Sequence, residues 1–249
     1  MSFISLNFVV LFACTFILYH TLPSRFRKAT LLTASCLFIG FYHLAFLITA
    51  LILTLTTFYL GKWIGQAKRE SGMKGIYFSG VCFLVVSWLA FRYADRLTNC
   101  HILFPLGISF YTFQAISYLT EIYWQEEEPE KSLPDFMIYM LFFMKFLSGP
   151  IERASDMLPQ LKSCKATDYT SMVYGMRLIV VGLIKKLILA DSIAPYIDGV
   201  FGSVYTASGV QLLMACLLYP IELYADFSGY TDIALGGARM LGFKLSPNF

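Results

Sequence analysis

Charge is what this sequence has least of. Only 14% of its 249 residues are Asp, Glu, Lys or Arg, against 57% hydrophobic ones, and the mean hydropathy is +0.65. Too few polar side chains remain to cover a water-exposed globule, so a soluble fold is excluded and long lipid-facing stretches are implied. Histidine is equally scarce: His20, His43 and His101 are the whole supply of three. None has a carboxylate beside it in sequence to orient it, and each reads as an interfacial or packing residue rather than a base. A phosphate-cradling glycine loop, an HExxH pair and a GxSxG elbow are all missing, which removes the usual sequence signs of nucleotide, zinc-peptidase and serine-hydrolase chemistry. The six cysteines (Cys14, Cys36, Cys82, Cys100, Cys164 and Cys216) show no CxxC spacing. Several sit in apolar runs, where a thiol behaves as a small hydrophobe, so neither a disulfide framework nor a metal site is expected. A net charge of +3 without a concentrated basic face argues against a nucleic-acid partner.

Apolar runs and aromatics are abundant instead. The first run, Leu6 to Leu22, has no basic residue ahead of it and is followed by Arg25, Arg27 and Lys28. That is the reverse of a signal peptide's charge order, and it predicts an uncleaved anchor with the N-terminus outside and the basic loop in the cytoplasm. The next run, Thr30 to Leu60, would reach roughly 45 Å as one straight helix and overshoot a hydrocarbon core of about 30 Å. A break is therefore predicted at Gly40 and the Phe41-Tyr42-His43 cluster. Beyond it, Lys62, Lys68, Arg69 and Lys74 form a second cytoplasmic basic loop. Further spans are predicted over Ile76 to Phe91, Ile102 to Leu119, Phe136 to Leu147, Val173 to Ala190 and Val210 to Tyr224. Pro105, Gly107 and Pro220 interrupt two of these, and irregular backbone at membrane depth survives only where protein or a wet cavity completes its hydrogen bonds. The expectation is one transmembrane domain over 1–249: an all-α polytopic integral membrane protein with broken or re-entrant helices. Gln125 to Lys131 (QEEEPEK) reads as a solvated loop, with docking of a basic partner as the alternative.

Ionisable residues in or beside these spans carry the most information, because a charge in hydrocarbon costs about 2.5–3.5 kcal/mol on insertion scales and needs a partner or cavity. Lys185 and Lys186 interrupt one span. Glu152 and Arg153 follow Gly149-Pro150. Glu222, Asp226 and Asp232 gather around Ser228-Gly229-Tyr230. Glu222 and Asp226 share a helix face at i,i+4, so a cation from Arg239, Lys185 or Lys186 is expected beside them. Structural ion pairing and the lining of a substrate passage both account for these groups. Ser109, Tyr111, Thr112, Gln114 and Ser117 likewise place polar groups along one helix, for interhelical hydrogen bonds or for a wet path.

Four segments, FPLGISFYTFQAISYL at Phe104 to Leu119, FLSGPIERASDMLPQL at Phe146 to Leu161, GLIKKLILAD at Gly182 to Asp191 and YADFSGYTDIALGGARMLGFKLSPNF at Tyr224 to Phe249, resemble the bacterial branch of the membrane-bound O-acyltransferase (MBOAT) family. That branch includes alginate O-acetylation proteins and the D-alanyl transfer protein of teichoic acids. The first hundred residues match in hydropathy alone. The resemblance implies that Pro105, Gly107, Ser109, Tyr111 and Gln114 shape the core beside an acyl-transfer tunnel. It further implies that Gly149, Pro150, Glu152 and Arg153 form a tight cytoplasmic-side element, and that Asp226, Ser228, Gly229, Tyr230 and Asp232 line or brace the region near the reaction centre. The implied reaction takes an acyl group from a cytoplasmic thioester, acyl-coenzyme A or an acyl-carrier protein, to a hydroxyl of an exported polysaccharide, with no tightly bound cofactor and no metal. A bacterial inner-membrane location follows, with membrane lipid and envelope acyl-transfer proteins as partners.

The family's base is a histidine in a tryptophan-rich segment shortly after a PNF-like element. This chain ends at Pro247-Asn248-Phe249, and His20, His43 and His101 do not occupy that motif. The expectation is a C-terminally truncated member whose catalytic histidine lies beyond Phe249 and which is inactive alone. A transporter or channel fragment is the competing reading, since broken helices with intramembrane acids also build solute sites; a non-catalytic subunit of a polysaccharide-export complex is the other.

Overall fold

The computed structural model describes residues 5–67, 69–98, 107–146, 149–164 and 167–248, and among them regular structure is helical throughout. The chain is all-α. Its helices group into two compact units, 1–147 with 151–166 and 148–150 with 167–249.

Unit 1 begins with α1 (Leu6–Thr21), whose N-terminus is capped by the Ser5 hydroxyl accepting the Phe8 N–H. Helix α2 (Ser24–Tyr42) follows Pro23 and stops where the sequence predicts: His43 is extended, ending α2 and opening α3 (Leu44–Gln66). The His43 Nδ1 accepts the Ala45 N–H, supplying a partner that the helix start lacks. Helix α4 (Glu70–Thr98) comes next, then α5 (Ile108–Tyr123), α6 (Leu133–Leu141) and α7 (Ala154–Ser163). By length and composition, α3 and the Glu70–Tyr93 part of α4 suffice to cross a membrane. Exposed Ile48, Ile52, Phe78, Phe83 and Val86 give them the apolar outer faces that lipid requires.

The predicted span Phe136 to Leu147 is corrected. Its helix, α6, is only 9 residues long, and residues 142–146 turn irregularly. At 1.5 Å per residue α6 reaches about 14 Å, half a bilayer core. Phe136, Ile138, Tyr139, Phe142 and Phe143 are nevertheless completely buried against the rest of the protein. Side chains of other helices supply the hydrogen bonds this backbone needs. Ser35 Oγ on α2 accepts the Phe143 N–H at 3.2 Å, and Gln114 Nε2 on α5 donates to the Tyr139 carbonyl at 2.9 Å.

Unit 2 consists of α8 (Tyr169–Leu183), a π-helical segment (Ile184–Ala190), α9 (Asp191–Gly202) and α10 (Gly209–Met240). The predicted span Val173 to Ala190 is thus an α-helix that widens into a π turn. Pro220, expected to interrupt its span, lies within the continuous helix α10, which is long and apolar enough to cross a membrane. The proline forfeits one N–H bond on an exposed face, while a Ser208–Gln211 capping box anchors the helix upstream. Close approach of α8 and α10 is set by glycine. A Cβ on Gly175 or Gly182 would come within 2.6 Å of the carbonyl oxygen of Gly236 or Gly229, and each facing glycine meets its partner's carbonyl in return. The two pairs lie seven residues apart on each helix, so the helices run antiparallel at near backbone contact.

Candidate functional site

The expected site residues fall into both units. In unit 1 they surround α5, where Tyr111, Gln114, Tyr118 and Glu121 recur at helical spacing on the buried face. Gly107 opens this helix at φ 72 with its α-carbon pressed against Phe146, so that a Cβ would sit 2.5 Å from the Phe146 carbonyl oxygen. Both features demand glycine. Ser109 Oγ accepts the Trp88 indole N–H at 3.0 Å, tying α5 to α4. The Tyr111 ring stacks on Phe146, centroids 5.5 Å apart. Gln114 Nε2 holds the Tyr139 carbonyl, and the Tyr139 hydroxyl donates to the Glu152 carbonyl at 2.9 Å. Glu152 is buried with its chain neighbour Arg153 exposed at the N-cap of α7. The structure therefore brings Tyr111, Gln114 and Glu152 into one buried polar seam and leaves Ser109 on the α4 side. Pro105 lies outside the described residues.

Sequence reasoning missed Lys145, the most unusual member of this seam. It is 3% exposed, its Nζ stands 4.6 Å from the centre of the Tyr139 ring, and Glu152 is its electrostatic counterpart. The signal was present in the sequence: a lone lysine inside the apolar run MLFFMKFL. Glu121 was missed as well. Its carboxylate accepts from Ser117 at 3.2 Å and faces the amides of Ala154 and Ser155 at the positive end of α7.

In unit 2 two acids of α10, Asp226 and Asp232, each meet a lysine of the π segment, while Glu222 makes no ion pair among the described residues. Lys185 Nζ lies 2.6 Å from Asp232 and 2.8 Å from Ser228 Oγ. Lys186 Nζ lies 2.5 Å from Asp226 and 2.7 Å from Asp191, over the Tyr230 ring at 5.4 Å. The cation expected beside Asp226 is Lys186. Arg239 stands instead over the Tyr174 ring at 5.3 Å. The wider turn of a π segment lets consecutive lysines reach carboxylates six positions apart on one partner helix. Asp191, quoted in the sequence motif but given no role, supplies a second carboxylate to Lys186. Asp226, Ser228 and Asp232 thus act as brace residues within unit 2, and three carboxylates against two ammonium groups make the brace a network rather than an isolated pair.

No family model matches the chain. A probable alginate O-acetylase of Azotobacter vinelandii is 33% identical over 268 aligned residues, covering 100% of this chain and 53% of that protein. A peptidoglycan O-acetyltransferase of Helicobacter pylori is 28% identical, covering 90% of this chain and 50% of that protein. A teichoic acid D-alanyltransferase of Bacillus subtilis is 27% identical, covering 58% and 37% respectively. The chain spans about half the length of the curated relatives it matches.

Proposed function

This chain belongs to the membrane-bound O-acyltransferase family, and from that premise we propose that it is part of an enzyme transferring an acyl group, most simply acetyl, to a hydroxyl of an exported cell-envelope polysaccharide. One observation carries the reading. Proteins named for acylating three different polymers align with this single chain, so acyl transfer, rather than any one polymer, is what they have in common. The donor is a cytoplasmic thioester, acyl-coenzyme A or an acyl-carrier protein. The acceptor oxygen attacks the thioester carbonyl, the thiolate leaves, and the hydroxyl proton passes to a base worth about 10²–10⁴-fold in rate. In this reading the protein is a multi-pass resident of the bacterial inner membrane, with both basic loops in the cytoplasm and the envelope acyl-transfer machinery as partner.

His20 and His43 are poor choices for that base. His20 packs on the rings of Phe16 and Tyr19, and His43 is engaged at the α2–α3 junction. His101 lies outside the described residues. Purified with detergent and given labelled acetyl-coenzyme A and polysaccharide, the 249-residue chain alone is expected to transfer no label. Deleting its gene is expected to lower the ester-linked acyl content of an envelope polysaccharide, measured after alkaline release. An unchanged ester content in every envelope polymer would refute the acyltransferase reading.

A further inference from the structure

Away from α5 and from the ion-paired helices, unit 1 carries an apolar hollow of about 1010 Å³ between α1, α2 and the start of α3, and no residue of α5, α6 or α7 lines it. Its wall runs from Leu6 to Cys14 on α1 and from Leu32 to Phe41 on α2. At 1.5 Å per residue these stretches reach about 12 and 14 Å, close to half of a ~30 Å hydrocarbon core and so to the depth of one leaflet. Small residues leave the space: Cys14, Thr33, Cys36 and Gly40, where an added Cβ would meet Leu47 at 3.5 Å, an ordinary contact. Water finds almost no hydrogen-bond partner on such a wall, and an empty hollow would cost its lining the dispersion contacts of one side.

Two further observations say what fills it. Leu44, which lines the hollow, stands in one row with Ile48 and Ile52 at four-residue spacing. That row is the exposed outer face of α3, so the hollow is continuous with the surface that meets lipid. The hollow also has a polar end. Phe8 meets the Phe38 ring at 5.8 Å, which sets Asn7, a lining residue, level with the α2–α3 junction. There His43 is exposed, and its Nδ1 accepts the Ala45 N–H, so in the neutral ring the hydrogen sits on Nε2 as a donor. Donors at one end and a leaflet-deep apolar wall below them match the two parts of a lipid. We propose that this hollow binds an acyl chain of a bilayer glycerophospholipid, with the lipid's ester and phosphate oxygens at the Asn7–His43 end.

Photo-crosslinking tests this, with the purified 249-residue chain in nanodiscs containing a phosphatidylglycerol that carries a diazirine midway along one acyl chain. Labelled residues are mapped by mass spectrometry. Val10 and Leu37 of the hollow are 53% and 58% exposed, and Ile48 and Ile52 of the outer row 49% and 54%, so contact with bulk lipid alone would label all four alike. Val10 and Leu37 should instead be labelled severalfold more than the isoleucines. Filling the hollow with Gly40→Leu or Cys36→Phe should bring them down to the isoleucine level and leave Ile48 and Ile52 unchanged. His43→Ala should lower the excess, and His43→Gln, which keeps an N–H donor, should restore part of it. A photoreactive amino acid at Leu37 should give lipid adducts. Equal labelling of all four positions, an excess indifferent to the filled variants or to His43→Ala, or Leu37 adducts to a second copy or another protein overturns the proposal. If neither filled variant accumulates, the wild-type ratio decides.

Discussion

Unit 1 closes around aromatic rings. Phe58, Tyr118, Phe136 and Tyr139 touch in sequence through tilted ring contacts of 4.7–6.4 Å, and polar groups such as Gln114 of α5 and Ser35 of α2 enter between them to hold backbone atoms. Unit 2 buries few large side chains; its completely buried positions on α10 are small ones such as Ala215, Ala234 and Ala238. There the helices meet backbone to backbone at glycines, and ion pairs lock their register. One unit thus derives its order from bulk and the other from its absence. A bulky core tolerates an irregular turn such as 142–146, because neighbouring side chains can be cut to fit it. A glycine seam fixes instead how closely two helices approach, and here it runs along the α-helical stretch of α8 up to the point where the π segment begins.

The sharpest way to break this contrast is to put bulk where unit 2 excludes it. In Gly182→Val the new Cβ would lie 2.6 Å from the Gly229 carbonyl oxygen and 2.9 Å from Ile233. Backbone cannot yield as a flexible side chain can, so a loss of about 3 kcal/mol is expected. Hydrogen exchange should show it as faster exchange of the α8 and α10 amides. Wild-type protection of both helices in the variant would mean that the seam is not close-packed.

Ion pairing supplies the second, smaller effect. Removing the charge at Lys185 alone leaves Asp232, whose side chain is only 15% exposed, without its counter-charge. About 2 kcal/mol should be lost in Lys185→Met, whereas the double variant Lys185→Met/Asp232→Leu should recover most of it, because an apolar pair avoids the desolvation that the ions suffer. Thermal unfolding in detergent, arranged as a double-mutant cycle, reads the coupling. A double variant as unstable as the single one would show that Ser228 or another group, rather than the ion pair, carries the contact.

Much of this was legible from residues alone, and the reasons differ by element. The α2–α3 break could be read because a run too long for the bilayer contains a glycine and a polar aromatic cluster. Lys185, Lys186, Asp226 and Asp232 could be read because charges in apolar runs stand out. The true nature of α6 could not, since hydropathy measures burial and does not distinguish lipid from protein as the burying medium. The pairing of Gly175 with Gly236 and of Gly182 with Gly229 also escaped, although Gly229 was read as a bracing residue, because the seven-residue spacing acquires meaning only once α8 and α10 are known to be partners. Lys145 escaped for a related reason. It too is a charge in an apolar run, but it lies one residue before the segment that begins at Phe146, and nothing local marks Tyr139 and Glu152 as its surroundings.

Unit 1 also has an electrostatic tie, and it offers the finest test of the comparison, because here the charge lies at the edge of an aromatic core rather than between helices. Glu130 belongs to the loop before α6, and its amide donates to the Tyr118 hydroxyl at 3.0 Å. Its carboxylate accepts the N–H groups of Lys131 and Ser132, both at 2.8 Å, and pairs with Lys162 of α7 at 2.8 Å. Burial by itself would raise the carboxyl's pKa; Lys162 and the two amides outweigh it and hold the group below the ordinary 4.5 of a glutamate. Because the folded value is the lower one, the carboxylate's contribution is fully present above the unfolded value and disappears as pH falls through the folded one. Lys162 is 58% exposed, so screening limits the effect to about 0.5–1 kcal/mol. Melting temperatures of wild type and Glu130→Gln should differ by a few degrees near neutral pH and converge on acidification below the glutamate range. A difference that persists unchanged in acid would assign the loop's anchoring to the Tyr118 hydroxyl, and so to the aromatic core, instead of to the charge.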